Sequence, residues 1–150
     1  MTERLRAVFD TNVFISAAIS HSPTSPTREL VRRWLAGEFV LVVSQALTAE
    51  VIETLLEHQI EPGQITELIA NLERLAEWAQ VPDQNIPTAI TVDPDDNVIL
   101  ACAVAGQADY LVTYDPHFDV LNGEYQGVKI VKVLPFLWVV RGERPPTKVE

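Results

Sequence analysis

Cysteine, bases and long apolar runs are all scarce in this chain of 150 residues. One cysteine, Cys102, excludes an intrachain disulfide framework and an all-cysteine zinc site. The longest apolar runs, 98–105 and 135–140, fall far short of the roughly 18 residues that a membrane span requires. The first ten residues, MTERLRAVFD, contain no apolar stretch ahead of a small-residue cleavage site, so no secretory signal is expected and the cytoplasm is the default compartment. Eleven bases stand against 21 acids, a net charge of -10. Between Trp34 and Val128 there are sixteen acids and one base, Arg74. A duplex-coating nucleic-acid binder needs a broad basic face, which this composition does not offer. Most of the acids are explained by a solvated surface.

What remains is globular. The chain is 47% hydrophobic and 21% charged, with no internal repeat and no linker, so residues 1–140 are expected to form one domain and 141–150 a polar tail. Short apolar runs alternate with helical patterns. Residues 6–10, 39–43, 110–113 and 129–133 read as strands, and 79–81 as a further short one. Helices are expected over 11–18, 27–36, 44–58, from Pro62 to about Ala76, and over 97–105, with 134–140 a short helix or extension. Buried strands alternating with amphipathic helices predict an α/β fold, a three-layer sandwich around a central parallel sheet. Cys102, among alanines on 97–105, reads as a small buried residue rather than a nucleophile.

Ligands of open parallel sheets bind beyond the carboxyl ends of the strands. Asp10 and Asp115 each follow a strand, Asp96 opens a helix, and Glu50 lies on the helix after 39–43. Acids converging on one crevice repel unless a cation neutralises them. Oxygen donors of this kind suit Mg²⁺ or Mn²⁺, which points to metal-assisted phosphoryl chemistry. On this reading, neutralising Asp10 or Asp115 should stabilise the metal-free chain by relieving repulsion. Competing signatures are missing: there is no phosphate-binding P-loop, no dinucleotide fingerprint and no serine nucleophile elbow. A dehalogenase-type phosphatase needs D-x-D after the first strand, and this chain has Asp10-Thr11-Asn12. A receiver-type domain needs paired acids beside that strand, and only Asp10 is there.

The segments AVFDTNVFISA (7–17), VVSQALTAEVIETLL (42–56) and DPDDNVILACAVAGQADYLVTYD (93–115), with the closing PFLWVV, resemble the PIN domain family, in particular its single-domain toxins of toxin–antitoxin systems. The resemblance spans about residues 5–140. It implies a Rossmann-like three-layer fold and a Mg²⁺- or Mn²⁺-dependent endoribonuclease that cleaves phosphodiesters with an activated water. The family's four acids fall on Asp10, Glu50, Asp96 and Asp115, which implies that Asp10, Asp96 and Asp115 hold the metal, with Glu50 a further ligand or an acid just behind them. Its small polar residues fall on Thr11, Asn12 and Ser16, which could orient carboxylates or cap the helix. Where many relatives carry a second acid two positions beyond the fourth, this chain has His117, which could ligate a transition metal, contact phosphate or sit in a loop. Asp119 is a shifted substitute, and Asp93 and Asp95 are outer candidates. Expected partners are RNA, an antitoxin protein and a second copy of the chain in a homodimer, with no membrane. Arg28, Arg32 and Arg33, on one helix, are candidate phosphate contacts. Trp34, Trp78 and Trp138 fall on apolar stripes and are either core or contact surface. The alternative from another class is a non-catalytic PIN-like binding module.

Overall fold

The computed structural model describes residues 4–82, 86–90 and 95–143. The strands are β1 (Arg6–Phe9), β2 (Val40–Val43), β3 (Glu77–Trp78), β4 (Tyr110–Val112), β5 (Glu124–Tyr125) and β6 (Val128–Val131). The helices are α1 (Thr11–Ile19), α2 (Pro26–Leu35), α3 (Gln45–Glu57), α4 (Pro62–Leu75), α5 (Asp96–Ala105) and α6 (Val133–Arg141), with a 3-10 turn over Pro116–Leu121. The strands form one sheet in the order β3-β2-β1-β4-β6-β5. All neighbours are parallel except β5 and β6. This is the α/β architecture that the alternating pattern predicts. Among the described residues, no helix is long and apolar enough to cross a membrane.

Side chains alternate across a strand, and the register therefore assigns the two faces. Ala7 pairs with Leu41 on one side and with Tyr110 on the other, so Phe9 and Tyr110 share a face, and Val8 shares the opposite one with Val42. On the first face Phe136 of α6 packs edge-on against Phe9 and Phe39, with ring centroids 6.3 and 5.3 Å away, and lies 5.4 Å from Tyr110. On the second face α5 comes so close that a Cβ on Gly106, at its end, would lie 2.4 Å from Val42 Cγ1. The small residues of α5 (Ala101, Cys102 and Ala103) are buried here. Burial pushes the Cys102 thiol up to about 11 against a weaker opposing hydrogen bond with Ser44, which fits a packed side chain and not a nucleophile.

Helix boundaries follow local chemistry. Ser44 caps α3, its hydroxyl accepting the Leu47 amide at 3.2 Å. Pro26 and Pro62 occupy the first positions of α2 and α4, where no amide donor is needed. The cap of α2 is Ser25 rather than Thr27, whose hydroxyl instead meets Ser16 at 3.1 Å and Ser25 at 3.0 Å. The short strand expected at 79–81 lies at Glu77–Trp78, where Glu77 pairs with Val42. At the amino-terminal edge of the sheet, Arg6 donates to both Glu77 oxygens at 2.5 and 2.9 Å and to the Gly106 carbonyl. That guanidinium lowers the Glu77 carboxyl.

Order in the sheet locates the crevice. The chain winds outward from β1 through β2 to β3, then returns to β4 on the other side of β1 and continues to β6. The winding reverses between β1 and β4, and in open parallel sheets ligands bind beyond the carboxyl ends of the strands at such a reversal.

Candidate metal centre

Asp10 and Asp115 flank this reversal. Asp10 follows β1 directly and caps α1, its Oδ1 accepting the Thr11 amide at 2.7 Å. Its Oδ2 accepts from the Thr113 hydroxyl at 2.6 Å and from Asn12 Nδ2 at 3.3 Å. Asn12 Oδ1 in turn accepts the Tyr114 amide at 3.2 Å. Thr113 Oγ1 accepts the Asp115 amide at 2.9 Å. The loops after β1 and β4 are thus tied to each other, and Asp10 is 4% exposed at the joint.

Asp115 caps the 3-10 turn, its Oδ1 accepting the His117 amide at 2.9 Å. The turn brings the His117 ring back over the acids. Its Nδ1 lies 3.0 Å from Asp96 Oδ2 and 3.4 Å from Asp115 Oδ1. Asp96 is 6% exposed in the first turn of α5, where the helix dipole favours its charge. Ahead of it, Asn97 accepts the Ile90 amide at 2.9 Å and donates to the Ile90 carbonyl at 2.7 Å. This pair ties Ile90 to the first turn of α5.

Among the described residues, one atom from each of Asp96, Asp115 and His117 forms a group in which all ligand atoms lie within 4.8 Å of one another. Two carboxylates and an imidazole are a donor set for a divalent cation. Thr11 Oγ1, next in sequence to Asp10, is buried and has no hydrogen-bond partner among the described residues. A cation, or the water around one, fits these residues.

The four acids singled out by sequence are therefore placed as follows. Asp96 and Asp115 meet in the group. Asp10 is linked to Asp115 through Thr113. Glu50 is half-buried on α3, which packs against α1 and α5, the helices that follow Asp10 and begin at Asp96. Of the supporting residues, Asn12 Nδ2 donates to Asp10 Oδ2, whereas the Ser16 hydroxyl meets that of Thr27 of α2. Asp119 is exposed on the 3-10 turn, and Asp93 lies outside the described residues. Thr113 and Asn97 were not legible as site-building residues; the one available signal is a hydroxyl residue between an apolar strand and a strand-end acid.

The helix α2 arginines all have local partners. Arg28 and Arg32 donate to the carbonyls of Ser20 and Pro23, holding the proline loop. Arg33 is engaged by Glu29 at 2.8 Å and Glu38 at 2.6 Å. Trp34 is buried, Trp138 half-buried and Trp78 exposed.

A family model described as PIN domain matches residues 6–117. No curated protein matches the chain. Among solved structures, VapBC2 from Rickettsia felis, bound to a DNA fragment from their promoter, is similar at a TM-score of 0.60 and 15% identity, with 85% of this chain and 98% of that one covered. FitAcB from Neisseria gonorrhoeae gives 0.53 at 17% identity, covering 85% and 98%. FitAB bound to the IR36 DNA fragment gives 0.55 at 16%, covering 85% and 94%.

Proposed function

The chain belongs to the PIN domain family, and from that membership we propose that it is a metal-dependent endoribonuclease of the toxin type, a hydrolase acting on RNA phosphodiester bonds. The observation that carries the proposal is the meeting of Asp96, Asp115 and His117 at the sheet's point of reversal, beside Asp10. A divalent cation bound there would supply Lewis acidity toward a phosphoryl oxygen and a nucleophilic water at neutral pH. Asp96 and Asp115 would hold the ion. Asp10 would shape the crevice floor through Thr113 and Asn12, and Glu50 would present a further carboxylate from α3. No protein nucleophile enters the scheme.

RNA would be drawn to this acidic chain by the ion itself and by Arg28 and Arg32, whose present acceptors are neutral carbonyls. Arg33, already paired with two acids, would contribute little to phosphate binding. The neighbours in fold are VapBC2 and FitAB assemblies, which supports an antitoxin protein as partner; a homodimer and a cytoplasmic location belong to the same reading. The test is cleavage of single-stranded RNA by the purified chain with Mg²⁺ or Mn²⁺. Loss of cleavage in chelator and in Asp96→Asn is expected. No cleavage with any ion would leave a binding module instead, and metal-independent cleavage would overturn the metal-dependent mechanism.

A further inference from the structure

We propose that His117 makes this centre selective for a transition-series cation, Mn²⁺ over Mg²⁺. The inference rests on the metal-dependent reading above and deepens it by naming the class of ion. Its basis is the placement of one nitrogen donor among oxygens. His117 Nδ1 is 3.0 Å from Asp96 Oδ2 and 3.4 Å from Asp115 Oδ1. An ion with bonds of about 2.1 Å sets adjacent ligands about 3 Å apart. Nδ1 is thus spaced from each carboxylate oxygen as from a neighbouring ligand, and one donor atom from each of the three residues lies within 4.8 Å of the others.

The ring is held there by the backbone. Pro116 opens the 3-10 turn with its fixed φ, and the His117 amide is anchored on Asp115 Oδ1 at 2.9 Å. The side chain consequently leaves the turn on the side of the acids. Asp96 comes from a separate helix whose first turn is tied to Ile90 through Asn97. Ring and carboxylate come from separate elements and meet at hydrogen-bond distance, His117 Nδ1 to Asp96 Oδ2 at 3.0 Å.

Chemistry then decides between ions. Mg²⁺ prefers oxygen ligands and gives up its water reluctantly. Imidazole suits first-row transition ions, whose affinities rise from Mn²⁺ toward Co²⁺ and beyond. Exchanging an oxygen donor for imidazole weakens Mg²⁺ binding relative to theirs.

The experiment is a calorimetric titration of the full chain with Mg²⁺, Mn²⁺ and Co²⁺, repeated on His117→Asp and His117→Gln, with folding checked by circular dichroism. Mn²⁺ should bind the parent at least about tenfold more tightly than Mg²⁺, with Co²⁺ tighter again. His117→Asp should bring the Mn²⁺ to Mg²⁺ ratio toward one. His117→Gln should weaken Mn²⁺ by about tenfold or more. Electron spin-echo spectroscopy of bound Mn²⁺ should show a coupled imidazole nitrogen in the parent and none in His117→Gln. Equal Mn²⁺ and Mg²⁺ affinity in the parent, with no nitrogen coupling, overturns the proposal and makes His117 an ion-pair partner only. RNA cleavage measured alongside separates the two readings: selective metal binding without cleavage removes the nuclease and keeps the selectivity, whereas cleavage with both ions and no nitrogen coupling does the opposite.

Discussion

The hydroxyl of Thr113 donates to Asp10 Oδ2 at 2.6 Å across 103 positions of sequence. Thr113 Oγ1 also accepts the amide of Asp115, so the two strand-end acids are positioned by one side chain. Thr113→Val keeps shape and removes both interactions. Leaving a buried carboxylate short of a donor costs about 1–3 kcal/mol, and cleavage should fall by more than the lost stability explains. Thr113→Ser should restore both. Melting curves and cleavage rates on the three proteins check this, and wild-type activity in Thr113→Val would deny it a positioning role.

Asp96→Asn preserves size while removing a charge from the ligand group. RNA cleavage should drop at least about a hundredfold, the scale of losing one strong electrostatic group at a transition state. Single-turnover rates on a labelled RNA measure it. Unchanged turnover would assign the activity to another site.

The simple repulsion argument makes Asp10→Asn stabilising without metal. The hydrogen bonds argue the opposite. Asp10 accepts from Thr11, Asn12 and Thr113, and an asparagine can offer only one of its two terminal atoms as acceptor. Either orientation sets its amide against a donor. The loss should be about 1–2 kcal/mol, a few degrees in Tm, in chelator. A higher Tm would show that carboxylate repulsion outweighs the cap.

Glu29 joins α2 to α6. Arg141 donates to both of its oxygens, at 2.8 and 2.5 Å, and Arg33 to one. The Arg141 hydrogen bonds first, then Arg33, hold the carboxyl down at about 2 despite opposing burial. A depressed folded-state pKa adds stability above the ordinary carboxylate value, near 4.5, and that stability is lost as pH falls toward 2. Glu29→Gln should therefore be less stable than the parent at pH 6, with the gap closing by pH 2.5. Urea midpoints at several pH values report it, and a pH-independent gap would make the effect one of packing.

Arg28→Ala and Arg32→Ala should each weaken RNA binding and reduce its salt slope by about one ion. Arg33→Ala should leave that slope in place and lower stability, because its partners are Glu29 and Glu38. Binding titrations across salt concentrations discriminate, and an unchanged slope in the first two removes them from the RNA surface.

The four main strands were readable because each carries a short apolar stretch, although Lys129 interrupts that of β6, and α3 and α5 because a cap and a run of small residues mark them. The two-residue strands were not. Glu77–Trp78 is exposed and owes its conformation to pairing with β2, and Glu124–Tyr125 to a hairpin with β6; neither is long enough to carry a period. Asp10, Asp96 and Asp115 stood out because acids ended or opened apolar segments. The contributions of Thr113 and Asn97 were hidden, since each acts on a residue from another element. Arg33 looked available only because Glu29 and Glu38, its partners in the fold, are undistinguished in a chain rich in acids.

The β1–β4 pairing sets Ala7 against Tyr110, and the layer behind Asp10 closes only when Phe136 arrives. A chain emerging from the ribosome therefore exposes Asp10 and Glu50 as separate residues well before Asp96, Asp115 and His117 have been made. At ordinary translation speeds of about 5–20 residues per second, the wait from Glu50 to the end of α6 lasts about 5–20 s. Throughout that interval the metal group is incomplete, because the layer behind Asp10 is still open.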